Sequence, residues 1–179
     1  MTAAPLMRPP ASEPSSRPVV LADGRQVVVR TLGSGDATAL ETALERASRD
    51  DLRRRFLGTP PPVDVLVDRL RTADGVHDYA VGAFDDAGRL VAVAQFDRLD
   101  DAPSAELGIE VAEDWQRAGL GTCMLERLLD VARRLGITRL TATYYADNLA
   151  VRRLLRRSGR VVASGIEQGE GYSVLDLTS

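Results

Sequence analysis

The sequence predicts one mixed α/β (α+β) domain, a central mixed sheet, mostly antiparallel, with helices on both faces. Three observations carry this. The 179 residues are about the length of one domain. Hydrophobic residues at 44% and charged residues at 27% match a chain that buries a proper core. Apolar segments switch between a period of 2 and a period of 3.6 in the order β-α-α-α-β-β-β-α-β-α-β-β. Aromatics are only 4%, so that core has to be built from Ala, Val and Leu.

Met1–Arg17 holds four prolines and three serines and no apolar h-region, and reads as a disordered leader ahead of a domain over 18–179. Val19-Val20-Leu21, Asp23-Gly24 and Val27-Val28-Val29 form a hairpin or an edge strand entered through a turn. Gly35-Asp36 can cap a helix over Ala37 to Ala47, with Leu40 and Leu44 on one face. Asp50 or Asp51 can cap a second through Leu57, stopped by Gly58 and Pro60-Pro61-Pro62. A third, Val63 to Arg71, aligns Val63, Leu66, Val67 and Leu70. Strands Tyr79 to Phe84 and Leu90 to Phe96 flank the turn Asp85-Asp86-Ala87-Gly88. The loop at Asp100-Asp101-Ala102-Pro103 leads into a strand from Glu106 to Val111. Leu120 to Leu135 is a long amphipathic helix ended by Gly136. Arg139 to Tyr145 is a strand, and Asp147 or Asn148 starts a helix through Arg157. Val161 to Ser164 and Tyr172 to Leu177 close the chain as strands.

Composition removes several functions. A formal charge of -3 and a pI near 5.3 argue against a global grip on nucleic acid or an anionic membrane. No apolar run approaches the roughly 18 residues of a membrane span, so a cytoplasmic protein is expected. One cysteine, Cys123, and one histidine, His77, leave no internal disulfide and no metal centre built on thiolates or imidazoles. All 23 cationic residues are arginine, which removes Schiff-base chemistry and a P-loop lysine.

The chemistry concentrates in Val111-Ala112-Glu113-Asp114-Trp115-Gln116-Arg117-Ala118-Gly119-Leu120-Gly121-Thr122. A strand ends, a polar loop follows, and two glycines open a long helix. Unpaired N–H groups and the positive helix end then converge on one point, which suits a phosphate. The plain alternative is a glycine-softened helix start with no ligand. A dinucleotide fingerprint is excluded because its third glycine would fall on Met124. Gln116-Arg117-Ala118-Gly119-Leu120-Gly121 resembles the acetyl-CoA loop of the GNAT N-acetyltransferase superfamily, Gln/Arg-x-x-Gly-x-Gly/Ala. The superfamily's second motif, Asn-x-x-Ala-x-x-Leu-Tyr-x-Lys-x-Gly-Phe, is matched by Asn148, Leu154, Arg157 and Gly159. Val151 stands for the small residue, Leu155 for the tyrosine and Arg160 for the final aromatic. The resemblance covers about Leu107 to Arg160. Leu52-Arg53-Arg54-Arg55-Phe56 and Ala105-Glu106-Leu107-Gly108-Ile109 look most like the bacterial Pat-type protein lysine acetyltransferase domains.

The resemblance implies a GNAT fold, acetyl-CoA as cosubstrate and an amine acceptor, either a protein lysine or a small amine. It implies that Ile109, Glu110 and Val111 offer backbone groups to the pantetheine, and that Gln116, Arg117, Ala118, Gly119, Leu120, Gly121 and Thr122 hold the pyrophosphate. Asn148 would bond the pantetheine arm; as a residue it is equally an ordinary helix N-cap. Strand alternation puts Glu106 and Glu110 on one face. Both are candidate bases or members of a solvated face, and the Pat-like match favours Glu106. Leu155 removes the usual proton donor to the thiolate, leaving water, Tyr144, Tyr145 or the substrate amine. Tyr145 before the Ala146-Asp147-Asn148 bend can reach the cleft or serve the sheet alone. Arg152, Arg153, Arg156 and Arg157 form a solvated face from which one or two can meet a CoA 3′-phosphate. Cys123 and His77 read as structural, and Trp115 as packing the loop down. A non-catalytic acyl-CoA-binding sensor stays open, as does a monomer or a homodimer.

Overall fold

In the computed structural model, residues 18–98 and 102–178 are described. The expected leader and residues 99–101 of the acidic loop lie outside them. The first valine clusters form a hairpin of β1 (Pro18–Val20) and β2 (Gln26–Thr31), paired antiparallel. Helices α1 (Ala37–Arg46), α2 (Arg49–Phe56) and α3 (Val63–Thr72) follow. Then come β3 (Asp78–Phe84), β4 (Leu90–Arg98), β5 (Ser104–Val111), α4 (Leu120–Arg134), β6 (Arg139–Tyr145) and α5 (Leu149–Ser158). Strands β7 (Arg160–Glu167) and β8 (Glu170–Asp176) end the chain. The strands make one sheet in the order β1-β2-β3-β4-β5-β6-β8-β7, antiparallel at every junction except β5–β6. The element order matches the sequence reading, with several boundaries shifted.

Two of the shifts concern caps. Helix α2 starts at Ser48, not at Asp50 or Asp51. The Ser48 Oγ accepts from the Asp51 amide at 3.0 Å and donates to the Asp51 carboxylate at 2.7 Å, so Asp51 is the reciprocal partner of the cap. Asp36 precedes α1 but spends its carboxylate elsewhere. It takes a two-pronged contact from Arg30 at 2.8 and 2.6 Å and the Gly33 amide at 2.9 Å. That ties the start of α1 to β2.

The larger core lies where α4 and α5 cover the sheet: Met124, Leu125, Leu128 and Leu129 of α4 meet Phe96, Leu107, Leu140 and Leu175 of the strands. A smaller cluster, Leu32, Phe84, Leu90 and Val93, packs beneath Leu40 and Ala43 of α1. Parallel strands β5 and β6 pair over Ser104–Leu107 with Arg139–Ala142 and then part. Strand β4 stays with β5 through Val111, and β8 stays with β6 through Tyr145. The sheet therefore opens at its centre, and this opening positions the site.

Candidate active site: the slot between β5 and β6

The parting of the strands leaves main-chain groups without a ladder partner. The Ala112 amide bonds the Val91 carbonyl across β4. With the unbroken antiparallel register, alternation then turns Glu110 and Gly108 toward β4 and leaves Ile109 and Val111 facing the gap. Glu110 thus contributes its carboxylate, while Ile109 and Val111 contribute backbone. The gap is a cavity of about 990 Å³, lined by Leu107–Val111, Ala142–Tyr144 and residues of α2, α4 and α5. Its walls suit an extended chain bearing amides, which would pair as one more strand.

The slot ends at the loop before α4. Gln116 Nε2 donates to the Val111 carbonyl at 3.0 Å, fastening the loop to the end of β5. Trp115 is buried beneath the Arg25 guanidinium, 4.1 Å from its ring centroid, and the Ala22 amide donates to the Ala118 carbonyl. Trp115 therefore packs the loop down as expected. Arg117 (φ 63) and Gly119 (φ 89) are both left-handed, which folds the chain tightly into the helix. No side chain caps α4 and no acidic residue stands in its first turn. The first amides of a helix lack intrahelical acceptors, so Leu120, Gly121 and Thr122 present donors and the positive helix end to the slot. A Cβ on Gly121 would sit 3.5 Å from Leu154 and 3.7 Å from Val111, so α4 starts close against both slot walls. Arg117, Arg153, Arg157, Arg49 and Arg54 line the same cavity. A donor-rich, uncapped helix start in a cavity lined by arginines fits a polyphosphate.

The opposite side is made of side chains. Arg55 of α2 is buried, with 9% of its side chain exposed; its Nη2 donates to Gln95 Oε1 at 2.8 Å, and its Nε lies 3.4 Å from Glu110 Oε2. Its Nη1 is buried with no hydrogen-bond partner. Burial pushes the Glu110 carboxyl above the usual carboxylate range; the Arg55 charge opposes this and Asp51 adds to it. Burial likewise pushes the Arg55 guanidinium down, against Glu110 and Asp97. Glu106 shares the Glu110 face, directly opposite Asp97 of β4, and is exposed. A second cavity of about 620 Å³, walled by Leu32, Leu40, Leu44, Leu66 and Val93, meets the slot at Arg55 and Glu110.

The remaining expected residues divide. Asn148 caps α5, its Oδ1 accepting from the Val151 amide at 3.2 Å, and it also lines the slot, where its Nδ2 amide is what it can still offer. Leu155 is fully buried in the slot wall. Of the paired tyrosines, Tyr144 lines the slot, its hydroxyl 2.7 Å from Ser173 Oγ. Tyr145 is not among the slot-lining residues; it lies under Arg53 of α2, 5.6 Å from guanidinium to ring centroid. Cys123 is half-buried against the core, and His77 bonds Asp74 at 2.6 Å within its loop. The sequence reading missed the share of α2 in the slot, from Ser48 to Arg55.

The family model described as the acetyltransferase (GNAT) domain matches residues 26–161. The chain is similar to acetyltransferase Pat of Mycolicibacterium smegmatis, 28% identical over 146 residues, 80% of this chain and 44% of that protein. It thus spans less than half the length of that relative. It is 30% identical over 138 residues to an acetyltransferase of Pseudomonas aeruginosa, 75% of this chain and 74% of that one. The crystal structure of the GNAT domain of S. lividans PAT has a TM-score of 0.82 at 25% identity, over 92% of this chain and 99% of that one. A putative acetyltransferase from Salmonella typhimurium, solved with acetyl-CoA, has a TM-score of 0.67 at 20% identity, over 86% and 95%. A sheet parted between the parallel strands β5 and β6, a helix start that fits a polyphosphate, and a match over residues 26–161 agree: this chain belongs to the GNAT acetyltransferase family.

Proposed function

We propose that the chain transfers acetyl from acetyl-CoA to a primary amine by direct attack, with a β5 carboxylate as general base. The parted strands carry this reading, because they leave Ile109 and Val111 facing a slot that ends at the uncapped start of α4. Ile109 and Val111 pair with the pantetheine amides, with the Asn148 Nδ2 beside them. The amides from Arg117 to Thr122 hold the pyrophosphate, and Arg153 and Arg157 meet the 3′-phosphate.

An alkylammonium with a pKa near 10.4 must lose a proton before it attacks. Glu106 takes that proton, directly or through water. The amine nitrogen bonds the thioester carbon while the Val111 amide donates to the developing oxyanion. The C–S bond then breaks. With Leu155 at the position of the usual donor, the second proton of the attacking nitrogen passes to the departing thiolate. One observation favours a second assignment of the base: Glu110 lines the slot and its burial moves it toward neutral pH, whereas Glu106 is exposed.

The Pat-type resemblance favours a protein lysine as acceptor. The cavity of about 620 Å³, with leucine and valine walls and Asp51, Asp78, Asp97 and Glu110 also in its lining, favours a small amine with an apolar body, since it is within the range of pockets that enclose whole small ligands. Radiolabelled acetyl transfer to a panel of proteins and small amines separates the two. The chain itself has no lysine, so acetyl-lysine in the assay can only come from the acceptor. Binding of acetyl-CoA with no transfer to any member would leave the acyl-CoA sensor and sink the enzymatic reading.

A further inference from the structure

Arg55 is poorly served as a purely structural group. Taking a guanidinium out of water costs several kcal/mol unless hydrogen bonds and a close ion pair repay it. Here one nitrogen has a hydrogen bond, one stands 3.4 Å from a carboxylate and one has no hydrogen-bond partner. Its placement is informative. Gln95, which it holds, pairs in register with Gly108, and a Cβ on Gly108 would lie 3.4 Å from the Gln95 side chain. Gly108 is the first β5 residue beyond the last β5–β6 pair. The guanidinium is therefore anchored at the apex of the slot, between Glu110 on one side and the facing Asp97–Glu106 pair on the other. It also lines both cavities, so an amine reaching the slot from the α1–α3 side passes it.

We infer that Arg55 is a positioning residue for the acetyl transfer, which fixes the β5 carboxylate base at the slot apex and keeps it charged. The inference rests on the carboxylate-base reading above. The charged groups facing Glu110 are Arg55 and Asp51 from α2, with Glu113 beside them in the lining of both cavities; those facing Arg55 are Glu110 from β5 and Asp97 from β4. Arg55 is thus a cation set among Glu110, Asp51, Glu113 and Asp97, with Glu106 opposite Asp97. Arginine suits this position because its charge persists and its planar fork spans two strands.

The test is the pH profile of kcat/KM for Arg55→Gln, whose amide reaches about as far as the arginine Nε but carries no charge, and for Arg55→Lys. Removing a neighbouring cation raises a carboxyl pKa, so the acid limb moves to higher pH. For Arg55→Gln we expect kcat/KM down about tenfold at pH 6, recovery toward wild type by pH 9, and KM for acetyl-CoA within about threefold. Arg55→Lys should restore most of the limb. Repeating Arg55→Gln in a Glu110→Gln background tells which carboxylate it serves: a shift that vanishes assigns Glu110, and one that persists assigns Glu106. A uniform loss at all pH values with an unmoved limb would overturn the inference and make Arg55 structural. A wild-type limb untouched by both glutamate variants would instead overturn the base reading, and with it this one. If Arg55→Gln fails to fold, Arg55→Met, which also removes the charge, is read the same way: a limb displaced upward supports the inference and an unmoved limb overturns it.

Discussion

On the α4–α5 side of the slot, the groups that face a ligand are mainly backbone: Ile109 and Val111 at the parted strand edge and the amides that open α4. On the α2 side they are side chains, Arg55, Glu110 and Asp51, carried by different elements and half or wholly buried. The first wall offers fixed dipoles whose aim is set by the strand register and the helix axis, and its chemistry does not depend on pH. The second depends on charge and on tertiary placement, and burial moves the Glu110 carboxyl up and the Arg55 guanidinium down. On the proposed function, binding a constant cosubstrate and handling a proton are divided between two kinds of material.

Neutralising the carboxylates is the most severe way to break this division. Glu106→Gln keeps shape and reach but cannot take a proton, so turnover should fall by ~10²- to 10⁴-fold while acetyl-CoA binding survives. Glu110→Gln should cost less than ~10-fold if Glu110 only lines the cleft, and it leaves Arg55 without its ion pair. Steady-state kinetics from pH 6 to 9 rank the two. If Glu110 is the base, the ranking reverses, and the acid limb of the wild type lies above the range of an ordinary glutamate because burial raises this carboxyl. A loss below tenfold from both variants together would remove the carboxylate base.

The same division explains what could be read from the chain. The shape of the loop was legible because Gly119 and Gly121 after a strand end mark a tight turn into a helix, and such turns are local in sequence. The element order was legible from periodicity. The parting of β5 from β6 was not, since register past Leu107 depends on which neighbour each strand keeps. Arg55 stood in an arginine-rich turn that resembled a family, with nothing local to say it would be buried beside residue 110. Strand alternation did place Glu106 and Glu110 on one face, but it does not tell which is buried. The Ser48 cap was hidden because Asp50 and Asp51 are equally good cap residues, and the choice among them belongs to side-chain geometry.

A second, smaller effect separates ligand from helix on the backbone wall. In Gly121→Asp the new Cβ meets only ordinary contacts, and a carboxylate in the first turn of α4 favours the helix. The melting temperature should hold or rise. Affinity for acetyl-CoA should nonetheless fall by at least ~10-fold, about 1.4 kcal/mol, through repulsion of the pyrophosphate. Calorimetry finding unchanged affinity in the folded variant would remove the phosphate from this helix start.

Asp36 offers a change confined to the anchoring of α1. Its bonds to Arg30 and the Gly33 amide hold its carboxyl below the usual range. A depressed folded pKa stabilises above the unfolded value and loses that stability as pH falls through the folded one. Asp36→Asn should therefore destabilise by roughly 1 kcal/mol at pH 7, and the deficit should close below pH 4. Chemical denaturation at both pH values checks this, and a deficit independent of pH would mean that shape, not charge, anchors the helix.

The smallest effect asks which of two duties Asn148 performs. Its Oδ1 caps α5 while its Nδ2 remains available to the slot. Asp is as good an N-cap as Asn, and its charge suits a helix start, so Asn148→Asp should keep the wild-type melting temperature. It lacks the amide donor, and one lost hydrogen bond of about 1 kcal/mol predicts acetyl-CoA affinity down about fivefold. Asn148→Ala loses both duties: about 1 kcal/mol of stability goes with the cap, together with the same drop in affinity. Measured side by side by thermal melting and calorimetry, the two variants share the binding loss and differ in stability. Equal affinity in Asn148→Asp and wild type would reduce Asn148 to a cap, leaving Ile109 and Val111 to hold the pantetheine arm through the main chain alone.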